Sequence, residues 1–541
     1  MNTLLLGTTQ KDLDTAAGIL RLGGLVAVPT ETVYGLAADA LNAESVKKVF
    51  KAKGRPMDNP LIVHIASLED IESLGLVREF PKTARMLSER FWPGPLTLIM
   101  KKGEVIPDEV SAGLDTVAIR MPSHEVTREL IRRSGCALAA PSANSSGLPS
   151  PTTASRVMED LNGRIDAVVD GGRCTVGVES TVLTLVTDPP RILRPGRITK
   201  EEIEEVIGKV EIDPAVISGM EKGQTASSPG MKYKHYSPKV KVVLIRSDDR
   251  QYRQFLDRRW RRLSDCAALC YEEDLPYIDA PAVSLGRKDD LEGQARRLFE
   301  ALREADEIED IRIVYAHCPK AQGVGLALYN RLIRAAAFEV IEIPKVKIIG
   351  LTGQSGAGKS EVAALFKERG IPVIDADLAA RRAVEDPEIL KKLREAFSDE
   401  IIREDGSLDR RKTAEIVFCD DEAREYLNSV THPKILEIML GEAKDLSEQG
   451  EETVVFDAPQ LFEAWEDFYC DRIIAVVADR QIRLKRIIER DLLSEEEATH
   501  RIDAQFSQEF FKEHSDDVIE NNGSLSDLFE QANRIFEVLY G

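Results

Sequence analysis

The chain has 541 residues, which at about 150 residues per domain predicts three or four domains and excludes a single small fold. Its 72 Lys and Arg against 93 Asp and Glu give a net charge of −21, so the chain as a whole repels a nucleic-acid backbone. With 43% hydrophobic and 30% charged residues, and no apolar run near the roughly 18 residues of a membrane span, the sequence indicates a soluble globular protein with no membrane contact.

The N-terminus and the cysteines both indicate a cytoplasmic protein. Residues 1–6 carry no basic start and no long apolar stretch, so no secretion signal is expected. The seven cysteines are scattered and lack metal-ligand spacing, as suits a reducing compartment. Cys266 and Cys270 are four residues apart, and we expect them to lie in a helix as a pair of buried small residues.

Alternating β-rich and helical segments predict a multidomain α/β protein. Residues 1–226 form the first predicted domain, with strands at 25–28, 96–100, 116–119 and 181–186 and a helix at 43–53. A polar, turn-rich stretch predicts a linker at 227–238. Residues 239–344 form a smaller α/β domain that contains an arginine-rich stretch at 250–262. Residues 345–541 open with a strand and a glycine-rich turn, as in a parallel sheet flanked by helices.

Polar side chains gather at predicted strand ends in the first domain. The strand at 25–28 runs into two hydroxyls, a carboxylate and a phenol within residues 29–35. A basic concentration follows at 47–55, Arg120 leaves the apolar side of its strand, and residues 140–147 pack hydroxyl and amide donors against prolines. A turn, cap or solvated surface explains any one of these groups. Their joint occurrence indicates a site that holds a triphosphate without a P-loop.

These residues resemble the YrdC-like threonylcarbamoyl-AMP synthase family over about residues 10–205. The resemblance is carried by Lys53-Gly54-Arg55, Ser142-Ala143-Asn144 and the segments around Pro29–Gly35, Arg120, Glu179-Ser180-Thr181 and Arg194. It implies condensation of L-threonine, bicarbonate and ATP into threonylcarbamoyl-adenylate and pyrophosphate. That product is the donor for modifying adenosine 37 of certain tRNAs, which would be met only indirectly, through a downstream transferase complex.

The same resemblance implies roles for individual residues. Lys53 and Arg55 would be catalytic. The residues expected near threonine are Thr32, Tyr34 and Arg55. The residues expected near the ATP phosphates and sugar are Lys53, Arg120, Ser142, Asn144, Ser180 and Arg194. His64 and His124 are interpreted as structural histidines.

The next segments also resemble longer members of this family. Residues 228–238 resemble the segment that joins the catalytic and accessory domains and is thought to lie over the active site. Residues 323–332 resemble the accessory α/β domain. Gly323 and Gly325 suit packing at a helix entry better than a nucleotide turn, because a third glycine at the right spacing is missing.

Residues 353–360 fit the P-loop pattern G-x-x-x-x-G-K-[ST] between a predicted strand and a predicted helix. Backbone amides there can hold the phosphates of ATP or GTP, Lys359 can bridge the outer phosphates, and Ser360 can ligate Mg²⁺. The predicted nucleotide-binding residues are Gly353, Ser355, Gly356, Ala357, Gly358, Lys359 and Ser360.

Acidic and basic residues beyond the P-loop predict an acceptor site. Asp375 and Asp377 follow a strand, where a carboxylate could take a proton from an attacking hydroxyl; a helix cap and a turn residue explain them equally well. Asp457 ends another strand, where P-loop proteins often place an acid that organises Mg²⁺. The arginines at 480, 483, 486 and 490 suit a lid that closes on phosphates, or a solvated surface.

Residues 346–541 resemble a dephospho-coenzyme A kinase. The matching segments are the P-loop, 375–381, 405–410, 432–433, 457–463 and 519–523. The family transfers the γ-phosphoryl of ATP to the ribose 3′-hydroxyl of dephospho-coenzyme A. The resemblance makes Asp377 the base and an acceptor-binding residue, places Arg381 against the acceptor and assigns the arginines of 480–490 to a mobile lid. Gln460 stands where the family more often has an apolar residue.

The sequence therefore predicts a bifunctional enzyme with ATP as a substrate at both sites and Mg²⁺ as a cofactor. One rival interpretation makes the first domain an RNA-binding module, with the basic cluster at 47–55 on RNA. Net charge and the strand-end placement of residues 30–34 argue against it. A second rival makes the C-terminal domain a GTPase or another small-molecule kinase.

Overall fold

The computed structural model describes residues 2–217, 236 and 238–540, without the side chains of 418, 419 and 540. It divides into two compact units, Met1–Arg246 with Leu263–Ile341, and Ser247–Arg262 with Glu342–Gly541. This division does not coincide with the predicted domain boundaries, since residues 247–262 of the predicted second domain lie in the second unit. The predicted linker at 227–238 lies outside the described residues apart from Tyr236 and Pro238.

An eleven-stranded mixed sheet organises the first unit, in the order β1-β8-β2-β3-β7-β4-β6-β5-β9-β10-β11. The strands are β1 (Leu4–Leu6), β2 (Val26–Val28), β3 (Gly35–Asp39), β4 (Ile62–His64), β5 (Leu96–Lys101), β6 (Thr116–Arg120), β7 (Leu138–Ala139), β8 (Ala167–Val169), β9 (Thr181–Thr184), β10 (Arg191–Arg194) and β11 (Glu211–Ile212). Strands β4 and β6 pair in parallel, with His64 opposite Arg120, which brings two predicted loop regions to one end of the sheet.

Helices cover the apolar faces of this sheet. They are α1 (Gln10–Arg21), α2 (Ala43–Lys53), α3 (Glu69–Ser73), α4 (Lys82–Phe91), α5 (Asp108–Ser111), α6 (Glu125–Ser134), α7 (Ala154–Leu161) and α8 (Lys200–Ile207). The residues at the two ends of helix α2 explain where the helix begins and ends. The Asn42 side chain caps its first turn, and Gly54 ends it in the left-handed conformation at φ 63°. Lys53 and Arg55 are thereby held at a fixed helix end.

A second sheet of the first unit has the order β14-β13-β15-β12-β16, and the pairs among β12, β13, β14 and β15 are parallel. Its strands are β12 (Lys241–Arg246), β13 (Cys266–Cys270), β14 (Ala282–Ser284), β15 (Ile313–His317) and β16 (Val340–Glu342). The helices of this region are α9 (Asp249–Leu263), α10 (Leu291–Asp306) and α11 (Val324–Ala335), of which α9 belongs to the second unit through residue 262.

The predicted helix around Cys266 and Cys270 is wrong, because both residues lie in strand β13. All five residues of β13 are buried: β14 and β15 pair with its edges, and Ala267 and Leu269 on one face pack in a cluster with residues of α10. A strand that is apolar on both faces shows no alternation, so a short run of small apolar residues cannot be told from a buried helical segment by its pattern.

The second unit contains a fully parallel sheet in the order β18-β19-β17-β20-β21. Its strands are β17 (Lys347–Gly353), β18 (Val373–Asp375), β19 (Thr453–Asp457), β20 (Arg472–Val477) and β21 (Asp517–Glu520). Its further helices are α12 (Lys359–Glu368), α13 (Ala376–Ala383), α14 (Pro387–Phe397), α15 (Arg410–Cys419), α16 (Asp421–Glu448), α17 (Arg480–Asp491), α18 (Glu495–Asp503), α19 (Gln508–His514) and α20 (Leu525–Tyr540). The mixed α/β fold class is confirmed. Among the described residues, no helix combines the length and apolar character that a bilayer crossing needs.

Candidate functional site

A cleft in the first unit is lined by polar side chains from several strand ends. The predicted residues that line it are Thr32, Arg55, Arg120, Ser142, Asn144 and Arg194. They come from the β2–β3 loop, the end of α2, the end of β6, the loop after β7 and the end of β10. Three guanidinium groups and several hydroxyl and amide groups therefore converge on one concave surface, which suits a polyanionic ligand.

Each arginine of the cleft is held by hydrogen bonds or an ion pair that use only some of its five N–H donors, and the remaining donors can bind a ligand. Arg120 forms an ion pair with Glu31 at 2.8 Å, and both side chains are buried. Arg194 donates from Nε to the Ser180 carbonyl and from Nη2 to the Ser180 hydroxyl, both at 3.0 Å. Arg55 donates to the carbonyls of Asn59 and Pro60, and burial lowers its pKa to about 10.

Lys53, Ser180 and Tyr34 lie behind the lining of the cleft. The Lys53 ammonium donates to the carbonyls of Ser142 and Asn144, so it anchors the loop that carries those residues. Burial lowers the pKa of Lys53 well below its usual value. Tyr34 is fully buried, donates to the Gly172 carbonyl at 2.8 Å, and has its pKa raised by burial. The structure thus gives Lys53, Ser180 and Tyr34 supporting positions.

Several cleft residues have no role in the sequence-based prediction. Glu31 holds Arg120, and Glu179 accepts hydrogen bonds from Ser150 at 2.6 Å and from Arg331 at 3.0 Å. Tyr236, a residue of the predicted linker, lines the cleft. Its ring stacks on Phe299 of α10, with the ring centroids 5.2 Å apart. The sequence signal for Glu31 and Glu179 is present, because each lies inside a segment that carries the family resemblance. Arg331 lies in the segment 323–332 that resembles the accessory domain, but nothing in the sequence places it beside this cleft.

His64 also lines the cleft, at the end of β4. Burial, with the nearby Arg120 charge, lowers its pKa to about 3, so it is neutral at physiological pH. Its Nδ1 lies 3.2 Å from the Ile62 carbonyl. This geometry agrees with the interpretation of His64 as a structural histidine.

The P-loop of the second unit joins β17 to α12, as the motif requires. Gly356 and Gly358 have φ values of 78° and 102°, which favour glycine. Asn521 donates to the Ala357 carbonyl at 2.7 Å, and the Ser355 amide donates to the Gln505 side chain at 2.9 Å. The Lys359 ammonium pairs with Asp457 at the end of β19. Main-chain amides, one lysine and a helix N-terminus therefore face one anion-binding site.

The predicted lid arginines of α17 divide into two pairs. Arg480 and Arg490 form exposed ion pairs with Asp503 and Asp491. Arg486 donates to the Gly356 carbonyl of the P-loop at 3.3 Å. Arg483 is buried beside Gly356, and within the described part of the chain its Nε and Nη1 have no hydrogen-bond partner. Two buried guanidinium donors next to a P-loop suit an anionic ligand.

Asp375, Asp377 and Asp457 form an acidic group beside the P-loop. Asp375 is the register partner of Asp457 in neighbouring strands, and its side chain caps α13 by accepting from the amides of Asp377 and Leu378. The pKa of Asp457 is raised, mainly by burial and also by the charges of Asp375 and Asp377. The Lys359 charge acts in the opposite direction but does not cancel the rise. Asp377 and Arg381 project exposed side chains from α13.

The donors present fit Mg²⁺. Mg²⁺ binds one or two carboxylates together with substrate phosphates, and the hydroxyl of Ser360 stands at the start of α12 beside the P-loop lysine. Asp375 and Asp457 carry carboxylate oxygens of the kind such an ion prefers, and in this structure Asp375 caps α13 while Asp457 pairs with Lys359.

Comparison with known proteins matches three successive segments of the chain. Family models match at residues 18–196 (Sua5/YciO/YrdC, described as telomere recombination), 198–337 (threonylcarbamoyl-AMP synthase, C-terminal domain) and 347–527 (dephospho-CoA kinase). The threonylcarbamoyl-AMP synthase of Pyrococcus abyssi is 47% identical over 336 residues, which is 61% of this chain and 95% of that protein.

Two further relatives complete the comparison. The crystal structure of Pyrococcus abyssi Sua5 complexed with L-threonine matches with a TM-score of 0.59 and 43% identity, over 63% of this chain and all of that one. The dephospho-CoA kinase of Listeria monocytogenes is 42% identical over 186 residues, or 34% of this chain and 93% of that protein. The chain therefore belongs to the threonylcarbamoyl-AMP synthase family through its N-terminal part and to the dephospho-CoA kinase family through its C-terminal part.

Proposed function

We propose that the chain is a bifunctional enzyme that makes threonylcarbamoyl-adenylate in its first unit and coenzyme A in its second. The observation that carries this proposal is the presence of two chemically different anion sites. One is a cleft of buried arginines, and the other is a P-loop of main-chain amides with Lys359. Each lies in a part of the chain that belongs to the corresponding family.

In the first unit, the cleft is suited to adenylate formation from L-threonine, bicarbonate and ATP. The carbamate oxygen formed from the threonine amine attacks the α-phosphorus, and pyrophosphate leaves. Negative charge then gathers on phosphate oxygens, which Arg55, Arg120 and Arg194 are placed to offset without moving. Ser142 and Asn144 shape the cleft, because the Ser142 hydroxyl donates to Asn144 Oδ1 and the Asn144 amide donates to the Ser145 and Leu148 carbonyls. Thr32 also lines the cleft and is the proposed contact for threonine. Lys53 acts by anchoring the loop at 142–144.

In the second unit, the P-loop and Arg483 are suited to hold ATP while α13 meets the acceptor. Asp377 is the proposed base that takes the proton of the ribose 3′-hydroxyl of dephospho-CoA, and Arg381 on the same helix is proposed to bind the anionic acceptor. Mg²⁺, when bound to Ser360 and the acids nearby, neutralises charge on the transferring phosphates. Lys359 must leave Asp457 to reach those phosphates, since the two side chains form an ion pair.

Two features bear on where these reactions occur and with what partners. The cysteines whose side chains the structure describes form no disulfide, as suits a reducing cytoplasm. With a net charge of −21, the chain is poorly suited to bind tRNA, so we propose that tRNA meets only the released adenylate, through a separate transferase complex.

Two crossed variants of the full chain test the proposal. Lys359→Ala is expected to abolish kinase activity and leave threonine- and bicarbonate-dependent pyrophosphate release intact, because P-loop chemistry is lost without a change to the other cleft. Lys53→Ala is expected to do the reverse, because the loop at 142–144 loses its anchor. Both activities are measured on each preparation.

Three results would count against this proposal. Equal loss of both activities in either variant would indicate one composite site. Pyrophosphate release that depends on RNA would favour the RNA-binding rival. Phosphorylation that prefers GTP, or that prefers nucleosides to dephospho-CoA, would favour the GTPase or another small-molecule kinase.

A further inference from the structure

Helix α9 carries a polar stripe against the parallel sheet of the second unit. Arg250, Gln254, Arg258 and Arg262 occur at every fourth position and therefore share one face of the helix. Arg250 pairs with the Asp471 carboxylate, and Gln254 donates to the Asp471 carbonyl. Arg258 donates to the Cys470 carbonyl at 3.0 Å and pairs with Asp516 at 2.7 Å. Successive turns of one helix thus contact the end of a single loop of the sheet.

That loop connects β19 to β20 and spans residues 458–471. It begins directly after Asp457 and enters the core through Leu461 and Phe462. It also holds three acids, Glu463, Glu466 and Asp467. Burial, with the neighbouring carboxylates, raises the pKa of Glu466 to about 8. Within the described residues, one carboxylate oxygen of Glu463 and one of Glu466 are buried without a hydrogen-bond partner.

Arg262 contacts the acidic and aromatic part of this loop, while Arg250 and Arg258 contact its end. Its Nη1 donates to Asp467 at 2.7 Å and to the Phe462 carbonyl at 3.1 Å, and only 2% of the Asp467 side chain is exposed. Its guanidinium also lies over the Trp465 ring, 4.6 Å from the centroid, and within 5.6 Å of the centroids of Phe462 and Phe468. A planar guanidinium that donates hydrogen bonds and stacks on aromatic rings holds the loop in position and also neutralises the Asp467 charge.

We propose that α9 clamps the β19–β20 loop and that Arg262 is a positioning residue for the kinase reaction. This proposal rests on the proposed kinase activity. The clamp comes from the chain segment that matches the synthase C-terminal domain, at 198–337, while the kinase family model begins at 347. The kinase of this chain therefore uses a helix that its own family segment does not supply.

The effect is expected on the acceptor more than on ATP. The loop leaves the sheet at Asp457, the register partner of Asp375, and the Asp375 side chain caps α13, the helix that carries the proposed acceptor residues Asp377 and Arg381. The ATP phosphates are assigned instead to the P-loop, which is bound to Gln505 through the Ser355 amide and to Asn521 through the Ala357 carbonyl; neither bond involves the clamp.

Full-chain Arg262→Gln, Arg262→Lys and, as a matched control, Arg261→Gln test the clamp. Arg261 lies on the same helix with an exposed side chain. We expect Arg262→Gln to raise the KM for dephospho-CoA about 10-fold and the KM for ATP less than about 2-fold, since a small displacement of a positioning group weakens one substrate selectively. Arg262→Lys should recover part of the loss because it retains the charge against Asp467. The control and the pyrophosphate-releasing activity should be unchanged.

Amide hydrogen exchange on the same full-chain proteins, without substrates, supplies a readout that is independent of kinase activity. Faster exchange in Arg262→Gln, confined to residues 458–471, supports the clamp. Unchanged exchange there with unchanged KM values overturns it. Equal rises in both KM values with a lower unfolding temperature make α9 a general structural element and also overturn the positioning role. An inactive wild-type kinase would refute the proposed function, while the exchange comparison would still decide the clamp.

Discussion

A buried charge is stable only beside a partner, and the pair of Glu31 and Arg120 shows the consequence at the scale of one residue. Burial alone would raise the pKa of Glu31, but the Arg120 guanidinium more than offsets this and the net pKa is lowered. A carboxylate whose pKa is lowered in the folded state stabilises that state above its unfolded pKa. The contribution is lost as the pH falls through the folded value.

Glu31→Gln is therefore expected to destabilise the chain by about 3 kcal/mol near neutral pH, because it leaves the Arg120 charge buried beside a neutral group. In the unfolded chain Glu titrates near pH 4.3, so the difference between wild type and variant should shrink as the pH falls below about 4. Scanning calorimetry of both proteins across that range measures the difference. Glu125→Gln, at an exposed ion pair, is the control and should change stability little at any pH.

If the Glu31→Gln difference were constant from neutral to acidic pH, the pair would not be an ion pair in solution. If the variant were as stable as the wild type at neutral pH, Arg120 would find another partner, and Glu31 would not position it.

At the scale of the element, the P-loop depends on two glycines for a conformation that other residues rarely adopt. A Cβ at Gly358, where φ is 102°, would overlap Asn521 Nδ2 well inside van der Waals contact. The Asn521 side chain is buried and its Nδ2 already donates to the Ala357 carbonyl, so it cannot give way without losing that bond. Both the backbone strain and the lost bond act on the amides that hold phosphate.

Gly358→Ala is expected to lower the kinase kcat/KM by about 100-fold, because a distorted P-loop misplaces the phosphoryl group. The synthase activity should not change. Gly441→Ala is the matched control, since Gly441 lies inside α16 and a Cβ there would meet open space; alanine at this position should raise helix stability by up to about 1 kcal/mol. Steady-state kinetics and thermal unfolding of both variants check this, and full kinase activity in Gly358→Ala would remove the loop from the phosphate site.

Elements whose signals are local can be predicted from the sequence, and elements whose signals are tertiary cannot. Helix α2 has its cap, its glycine stop and its apolar face within a dozen residues, and the structure places it at Ala43–Lys53 as predicted. The P-loop is likewise local. Strand β13 is not predicted because its burial depends on distant elements, such as α10, that pack against the sheet, and its own five residues do not show this. For Asp375 the sequence favours neither a helix cap nor a site carboxylate, and the structure shows that it caps α13.

The same limit applies to the candidate sites. Arg55, Arg120, Ser142 and Asn144 are predicted to share a site, and the structure brings them to one cleft. Lys53 and Tyr34 are expected to meet substrates, yet their polar atoms are occupied by backbone carbonyls. A sequence pattern identifies which residues gather at a site. It does not separate the residues that face the ligand from those that support the lining through backbone hydrogen bonds.

At the scale of the whole molecule, each nucleotide site is built wholly within one unit. The cleft of the first unit draws on residues from 30 to 236, and Arg331 of α11 supports it through Glu179 and the Pro195 carbonyl. The P-loop site draws on residues 353–360, α17 and the segment around Asn521. Sites that share no residue couple only if an equilibrium between two global states links them.

The full chain is therefore expected to bind two equivalents of a non-hydrolysable ATP analogue, with the affinity at either site the same whether or not the other is filled. Calorimetric titration of the wild type measures both quantities. Lys359→Ala should weaken one of the two binding events, because the P-loop loses the ammonium that bridges the outer phosphates, and leave the other at its wild-type affinity. Saturation of the wild type at one equivalent would mean that one of the two anion sites does not bind a nucleotide. The proposal that the arginine cleft and the P-loop each bind ATP would then be wrong.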